Sequence, residues 1–282
     1  MLRANTRASA SEPGNYGSEM TYADTETLLF SPGDGGVLTM TLNRPEKKNA
    51  ANATMWNELL ATFQQVKHDP EVRVFVITGA GDAFCSGADL GGGGDGPRRH
   101  QLAAMRHIHD IAIGLHELPM PTIAKVNGVA AGAGMNMALG CDLVVASDRA
   151  RFSEIFARRG LSVDFGGTWL LPRLIGMHKA KELAFFADII DAPTAERFGI
   201  VNHVVEHDDL DGFVDDWAAR LAAGPPIALA QTKAMLNKSL TMTMDEALDN
   251  EGWAQTVNFS TDDTREAVQA FLDKRDPEFR GR

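Results

Sequence analysis

Hydrophobic positions along the chain follow two patterns in turn, and the change between them marks out the elements. Val37-Leu38-Thr39-Met40-Thr41-Leu42 reads as a strand, stopped by the turn-forming Asn43-Arg44-Pro45. Asn52 then caps a helix whose apolar positions are Trp56, Leu59, Leu60, Phe63 and Val66. Their spacings of 3, 1, 3 and 3 place them on one face. Val72 to Thr78 is a β-branched run suited to a strand buried on both faces. Thr122 to Val126 and Asp142 to Ala146 read as two more strands, with the Gly/Ala-rich stretch Gly128 to Gly140 between them. Helical periodicity dominates from His178 onward. Leu210, Phe213, Val214, Trp217 and Leu221, at spacings of 3, 1, 3 and 4, form one such face. Pro225-Pro226 opens another helix, and Asp262 is expected to cap the last one.

This order predicts an α/β core over residues 23–195, then a helical region over residues 196–282. Residues 1–22 are rich in Ser, Asn, Gly and Ala and are expected to be a disordered tail. They lack the apolar segment of a secretory signal, and Glu12-Pro13-Gly14 argues against a transit peptide despite Arg3 and Arg7. No internal repeat is found, and Gly91 to Gly94 is the one low-complexity tract. The 282 residues give ample material for a buried core. No apolar run reaches the roughly 18 residues of a membrane span. With 27 Lys+Arg against 38 Asp+Glu, the net charge of −11 gives the chain as a whole no attraction for nucleic acid. A local basic patch for a small polyanion remains open. Cys85 and Cys141 are too few for a disulfide framework and lack metal-site spacing, so a reducing cytoplasm is the expected setting.

Four segments carry candidate chemistry. Asn43-Arg44-Pro45-Glu46-Lys47-Lys48-Asn49-Ala50 is either a solvated turn or a cationic rim for a phosphorylated ligand. Gly79-Ala80-Gly81-Asp82-Ala83-Phe84-Cys85-Ser86-Gly87-Ala88-Asp89-Leu90 follows a strand, and its small residues permit close approach to the backbone, by a ligand or by packing. It has neither the dinucleotide Gly spacing followed by a helix nor a Walker lysine. Asn127-Gly128-Val129-Ala130-Ala131-Gly132-Ala133-Gly134 runs into a helix whose free N–H groups suit an oxyanion, or merely pack closely. In Arg159-Gly160-Leu161-Ser162-Val163-Asp164-Phe165-Gly166-Gly167-Thr168-Trp169, one carboxylate sits among apolar residues and glycines. It is a cap, a buried acceptor, or a proton-transfer group with a raised pKa.

Together and in this order, these segments resemble the crotonase superfamily of enoyl-CoA hydratases and isomerases over about residues 25–280. Ala270-Phe271-Leu272-Asp273-Lys274-Arg275 is similar to the family's terminal helix. The resemblance implies a spiral of ββα units, a helical C-terminal region, homotrimers or homohexamers, and an acyl-CoA thioester as substrate. Coenzyme A then arrives with the substrate, and neither a separate cofactor, a metal, nucleic acid nor a membrane is expected. By position, the backbone N–H groups of Ala88 and Ala133 form the oxyanion hole. Lys47, Ser86, Ala88 and Leu90 contact the nucleotide, and Phe271 and Lys274 add to its adenine or phosphate end.

The departures from the family are informative. Hydratases of this family place one glutamate four residues after the helix-opening Gly and a second about twenty residues later. Those positions hold Asn136 and Phe156 here, and neither exchanges a proton at neutral pH. Asp164, eight residues beyond Phe156, stands where some isomerases of the superfamily carry their working aspartate. The run from Gly160 to Arg173 resembles the phenylacetate-pathway isomerase branch most closely. The expectation is therefore an acyl-CoA double-bond isomerase with Asp164 as sole acid and base. Phe156, Phe165, Trp169 and Leu161 would screen Asp164 from water, and Asn136 would hydrogen-bond the base or substrate. A hydratase or other crotonase reaction on the same scaffold, and a catalytically silent acyl-CoA binder, are the alternatives. His107 and His109 beside Asp110 read as exposed helix positions, His178 and His203 as structural. Trp253 reads as an interface residue, and Gly91 to His100 as a flap or a plain surface loop.

Overall fold

The computed structural model describes residues 21–91 and 100–282. The tail up to residue 20, and the flap expected between Gly91 and His100, lie outside the described residues. Among these, one pattern recurs: a longer strand, a short strand, then a helix. β1 (Leu28–Pro32), β2 (Val37–Leu42) and α1 (Ala53–Lys67) precede it. The first turn is β3 (Val74–Gly79), β4 (Ala83–Cys85) and α2 (Gln101–His116); the second is β5 (Thr122–Val126), β6 (Val129–Ala131) and α3 (Ala133–Gly140). The third is β7 (Leu143–Ser147), β8 (Arg151–Ser153) and α4 (Gly167–Ile175). After these come α5 (Met177–Phe186), β9 (Ile190–Asp191), α6 (Ala192–Phe198), β10 (His203–Val205) and α7 (Leu210–Ala222). The chain closes with α8 (Pro226–Ser239), α9 (Met244–Ser260) and α10 (Asp262–Asp273).

The longer strands form a six-stranded sheet in the order β1-β2-β3-β5-β7-β10, and the short ones a second sheet, β4-β6-β8-β9. Parallel pairing links β2, β3, β5, β7 and β10, while β1 runs antiparallel. This is the ββα spiral expected from the resemblance. β3 is buried at every position, as its β-branched run predicts. It begins two residues later than expected, because Asp69 accepts the Glu71 N–H on its side chain and the Val72 N–H on its carbonyl, turning the chain first. β7 likewise starts at Leu143, since the Asp142 carboxylate is occupied by the Thr122 N–H and hydroxyl and by Lys233 at 2.7 Å. α10 is capped by Thr261 rather than Asp262, its side chain accepting from the Thr264 N–H.

One core lies between the sheets, α1, α2 and α3, and contains Met40, Met55, Leu59, Phe63, Phe75 and Phe84. A second covers the outer face of the large sheet, where Leu210, Val214 and Ala218 of α7 meet Val74, Val76, Ile123 and Val145. β10 and α7 thus extend the sheet and its cover past residue 195, and α8 to α10 form the outer helical layer. No helix of the described residues is long and apolar enough to cross a membrane.

Asn49 ties the loop after β2 to the loop after β3. It is fully buried, and its Nδ2 donates to the Ala80 and Ala83 carbonyls at 2.9 and 2.8 Å while Oδ1 accepts from the Arg44 N–H at 2.9 Å. Its φ of 54° is the left-handed conformation that Asn tolerates best after Gly. Asn49→Ala orphans two carbonyls and an N–H and keeps the strained backbone. The expected cost is about 2–4 kcal/mol, read as a lower urea midpoint with unchanged m.

Candidate active site

Glycine makes the site possible by letting backbones touch. A Cβ at Gly134 would lie 2.1 Å from the Cys85 carbonyl oxygen, one at Gly128 2.0 Å from that of Asp82, and one at Gly87 2.9 Å from that of Ala131. The Gly134 and Gly87 contacts press the end of β4 against the turn from β6 into α3, and the Gly128 contact holds the starts of β4 and β6 together. Ala51 brackets the same loop, donating to the Gly87 carbonyl at 2.8 Å and accepting the Asp89 N–H at 2.9 Å. The Ala88 N–H therefore points away from that bridge, while Ala133 opens α3 after Gly132, whose φ is 55°. Among the described residues neither N–H donates to a protein acceptor, as the first turn of a helix and a one-sided bridge require. The Phe156 ring flanks this opening, its Cζ 3.6 Å from where a Gly132 Cβ would stand.

Lys47 and Ser86 come together at the rim. The Ser86 hydroxyl donates to the Lys47 carbonyl at 3.3 Å and its N–H to that of Lys48 at 3.0 Å. Leu90 is exposed nearby in the chain, and Arg44 holds Asp89 at 3.0 Å, keeping that carboxyl below its usual range. Phe271 lies in α10, which packs on α9, and Lys274 is the left-handed residue that ends it. Among the described residues nothing joins them to the Lys47–Leu90 rim, and Phe271 is 82% exposed.

Asp164 stands in a loop built to hold it. Phe165 has φ 50°, which is rare for a bulky residue, and its buried ring packs 5.8 Å from Trp56 of α1. The aromatic anchor sustains a strained backbone beside the carboxylate, an arrangement typical of functional sites. Asp164 is half-buried, and its Oδ1 is enclosed without a hydrogen-bond partner. Burial raises its pKa, and the charge of His109 on α2 opposes the rise. His109 is thus exposed, as expected, yet electrically coupled to the site, whereas His107 has its Nε2 buried.

Asn136 is fully buried one turn into α3, and its Nδ2 donates to the Asp164 carbonyl at 2.9 Å and to Glu154 Oε2 at 3.3 Å. Gly167 permits this, since a Cβ there would lie 2.3 Å from that nitrogen. Glu154 is the residue that sequence reasoning missed. It is fully buried, and burial, together with the neighbouring Asp164, pushes its carboxyl up to about 8 against the lowering bond from Asn136. The available signal was an acid set between Phe152 and Ile155-Phe156, where a surface strand end would not be apolar on both sides.

Two expected screens lie elsewhere. Trp169 packs edge-on to His116 at 5.2 Å and under the Arg173 guanidinium at 4.0 Å, facing the cavity bordered by Leu229, Lys233 and Leu236 of α8. Leu161 is 53% exposed and lines an outer apolar cavity of about 600 Å³ with Val163, Met177 and Phe185. The helical period of α4 turns Trp169 outward once Gly167 is committed to Asn136. Both cysteines are buried, with thiols pushed up to about 11 for Cys85 and about 12 for Cys141, and are inert as nucleophiles.

Comparison with known proteins agrees with this architecture. Residues 33–282 match the family model described as enoyl-CoA hydratase/isomerase. The chain is similar to a probable enoyl-CoA hydratase of Rhodobacter capsulatus, 40% identical over 88% of this chain and 95% of that protein. It is also similar to 1,2-epoxyphenylacetyl-CoA isomerase of Escherichia coli K12, 38% identical over 90% and 99% of the two chains. The crystal structure of an enoyl-CoA hydratase from Bacillus anthracis superposes with a TM-score of 0.87, at 30% identity over 91% of this chain and all of that one. With the ββα spiral, the fold and the sequence agree: the chain belongs to the enoyl-CoA hydratase/isomerase family.

Proposed function

We propose that this enzyme shifts a double bond in an enoyl-CoA thioester, with Asp164 as the base. The observation that carries this reading is the half-buried Asp164 carboxyl with an enclosed, unpartnered oxygen, in a chain that has Asn136 and Phe156 where hydratases of the family carry glutamates. The backbone N–H groups of Ala88 and Ala133 polarise the thioester carbonyl, which acidifies the neighbouring C–H. Asp164 removes a proton from C2 of a 3-enoyl-CoA, the charge spreads over a dienolate held at the two donors, and the same carboxyl returns the proton at C4. Atoms and electrons balance with no water consumed. Lys47, Ser86 and Leu90 hold the coenzyme A portion, and the exposed Phe271 and Lys274 reach a nucleotide across a subunit boundary of a trimer or hexamer.

Hydration is the second reading. It is favoured by Glu154, a second buried carboxyl beside Asp164, and by the relative named short-chain-enoyl-CoA hydratase from Clostridium acetobutylicum, 35% identical over 86% of this chain. A buried acid and a nearby base are what addition of water needs.

Asp164→Asn is expected to lower 3-enoyl-CoA isomerisation by about 10²–10⁴-fold while coenzyme A ester binding persists. Turnover by this variant at the wild-type rate would reject Asp164 as base. Because the base must be ionised, kcat/KM falls as pH drops through the raised Asp164 value, so the acid limb lies above 3.8, the ordinary aspartate value. Measured in parallel, 2-enoyl-CoA hydration faster than isomerisation would favour the second reading. Light scattering should give three or six times the 30.5 kDa chain mass, and a monomer would contradict the shared nucleotide site.

A further inference from the structure

Two fully buried side chains, Asn136 and Glu154, meet behind the loop of the half-buried Asp164, and each of the three residues has an enclosed oxygen without a partner: Asn136 Oδ1, Glu154 Oε1 and Asp164 Oδ1. The hydrogen-bond arithmetic does not close if both acids are ionised. All three atoms are then acceptors, and the single amide donor, Asn136 Nδ2, is already spent on Glu154 Oε2 and the Asp164 carbonyl. A fully buried carboxylate also needs two or three donors to repay its lost hydration, and Glu154 has one, at 3.3 Å. A proton on Glu154 relieves the fully buried pair, because its O–H can donate to Asn136 Oδ1 while Asn136 Nδ2 donates to Glu154 Oε2.

We propose that Glu154 is a positioning residue for this reaction: as a neutral acid it donates to the buried oxygen of Asn136, and so fixes the amide that holds the Asp164 main chain and, through it, the working orientation of the carboxylate. The proposal rests on the reading of Asp164 as the base. Chain geometry sets the arrangement. Ser153 and Ala131 are register partners in the small sheet, and the Gly132 N–H donates to the Ser153 carbonyl at 2.9 Å. The residue after Ser153 is thereby held beside the start of α3, one turn from Asn136. Among the described residues, the titratable groups facing the cluster are Asp164 and Glu154 themselves and His109 from α2. With its carboxyl at about 8, Glu154 keeps its proton through neutral pH and loses it just above.

The test is a set of pH profiles for 3-hexenoyl-CoA isomerisation by wild type, Glu154→Gln, Glu154→Ala and Asp164→Asn. Wild-type kcat should fall above about pH 8 as the cluster loses its only spare donor. Glu154→Ala should lower kcat at least tenfold with KM changed less than twofold. Glu154→Gln, which keeps a donor and cannot ionise, should restore much of the rate and abolish the alkaline fall. The infrared C=O stretch of a protonated carboxyl should be present in wild type at pH 6, absent at pH 9, and absent in Glu154→Gln at both, a readout independent of activity. Folding provides a second one. The folded-state pKa lies above the unfolded value of 4.5, so the stability contributed by the Glu154 proton is complete below 4.5 and is lost progressively up to about 8. The Tm advantage of Glu154→Gln over wild type should therefore grow across that window and then level off. An alkaline limb retained by Glu154→Gln, or full activity in Glu154→Ala, overturns the proposal. Unchanged turnover in Asp164→Asn overturns instead the base assignment on which it rests.

Discussion

Backbone-to-backbone contact between the β4 loop and the start of α3 is the constraint on which the site depends. At Gly134 and Gly128 there is no room for even one carbon beyond Cα, because carbonyl oxygens occupy the space at 2.1 and 2.0 Å. That closeness brings the Ala88 and Ala133 N–H groups to one opening. Because these groups are main-chain atoms on the ends of a strand loop and a helix, their positions are fixed by sheet register and not by rotamers. Asn49, buried between two loops, secures the rim of the same opening.

The acidic side of the site is arranged on the opposite principle. Its strength comes from incomplete satisfaction: a strained Phe165, an enclosed Asp164 oxygen and a fully buried Glu154 all raise the energy of the resting protein. Burial moves both carboxyls upward, and the charge of Asp164 adds to the rise at Glu154. Gly167 and Asn136 form the mechanical link, since the amide sits where any side chain at 167 would stand.

The outer helical layer explains the placement of the remaining aromatic residues. Trp169 belongs to the contact between α4 and α8, sandwiched by His116 and Arg173. Trp253, Phe259 and Phe271 are exposed on α9 and α10, so the outer layer carries several large apolar side chains on its surface.

The sequence by itself determined the longer strands and several of the helices, since the run Val72 to Thr78 and the Asn52-capped helix declare their burial through periodicity and composition. It also determined the family, through segments whose small residues recur in a fixed order, and it pointed to Asp164 as a lone acid among apolar neighbours. Trp169 showed the limit of that reading: adjacency along the chain suggested a screen for Asp164, but the helical rotation set by Gly167 turned it outward. Glu154 was equally hidden. It lies 10 residues before Asp164 and 18 after Asn136 in the chain, and looks locally like a polar strand end. Parallel pairing of β6 with β8 brings it to α3, and the burial that follows raises its pKa. Periodicity reports which face of an element is dry. The company a buried acid keeps is set by long-range register, which only the tertiary structure contains.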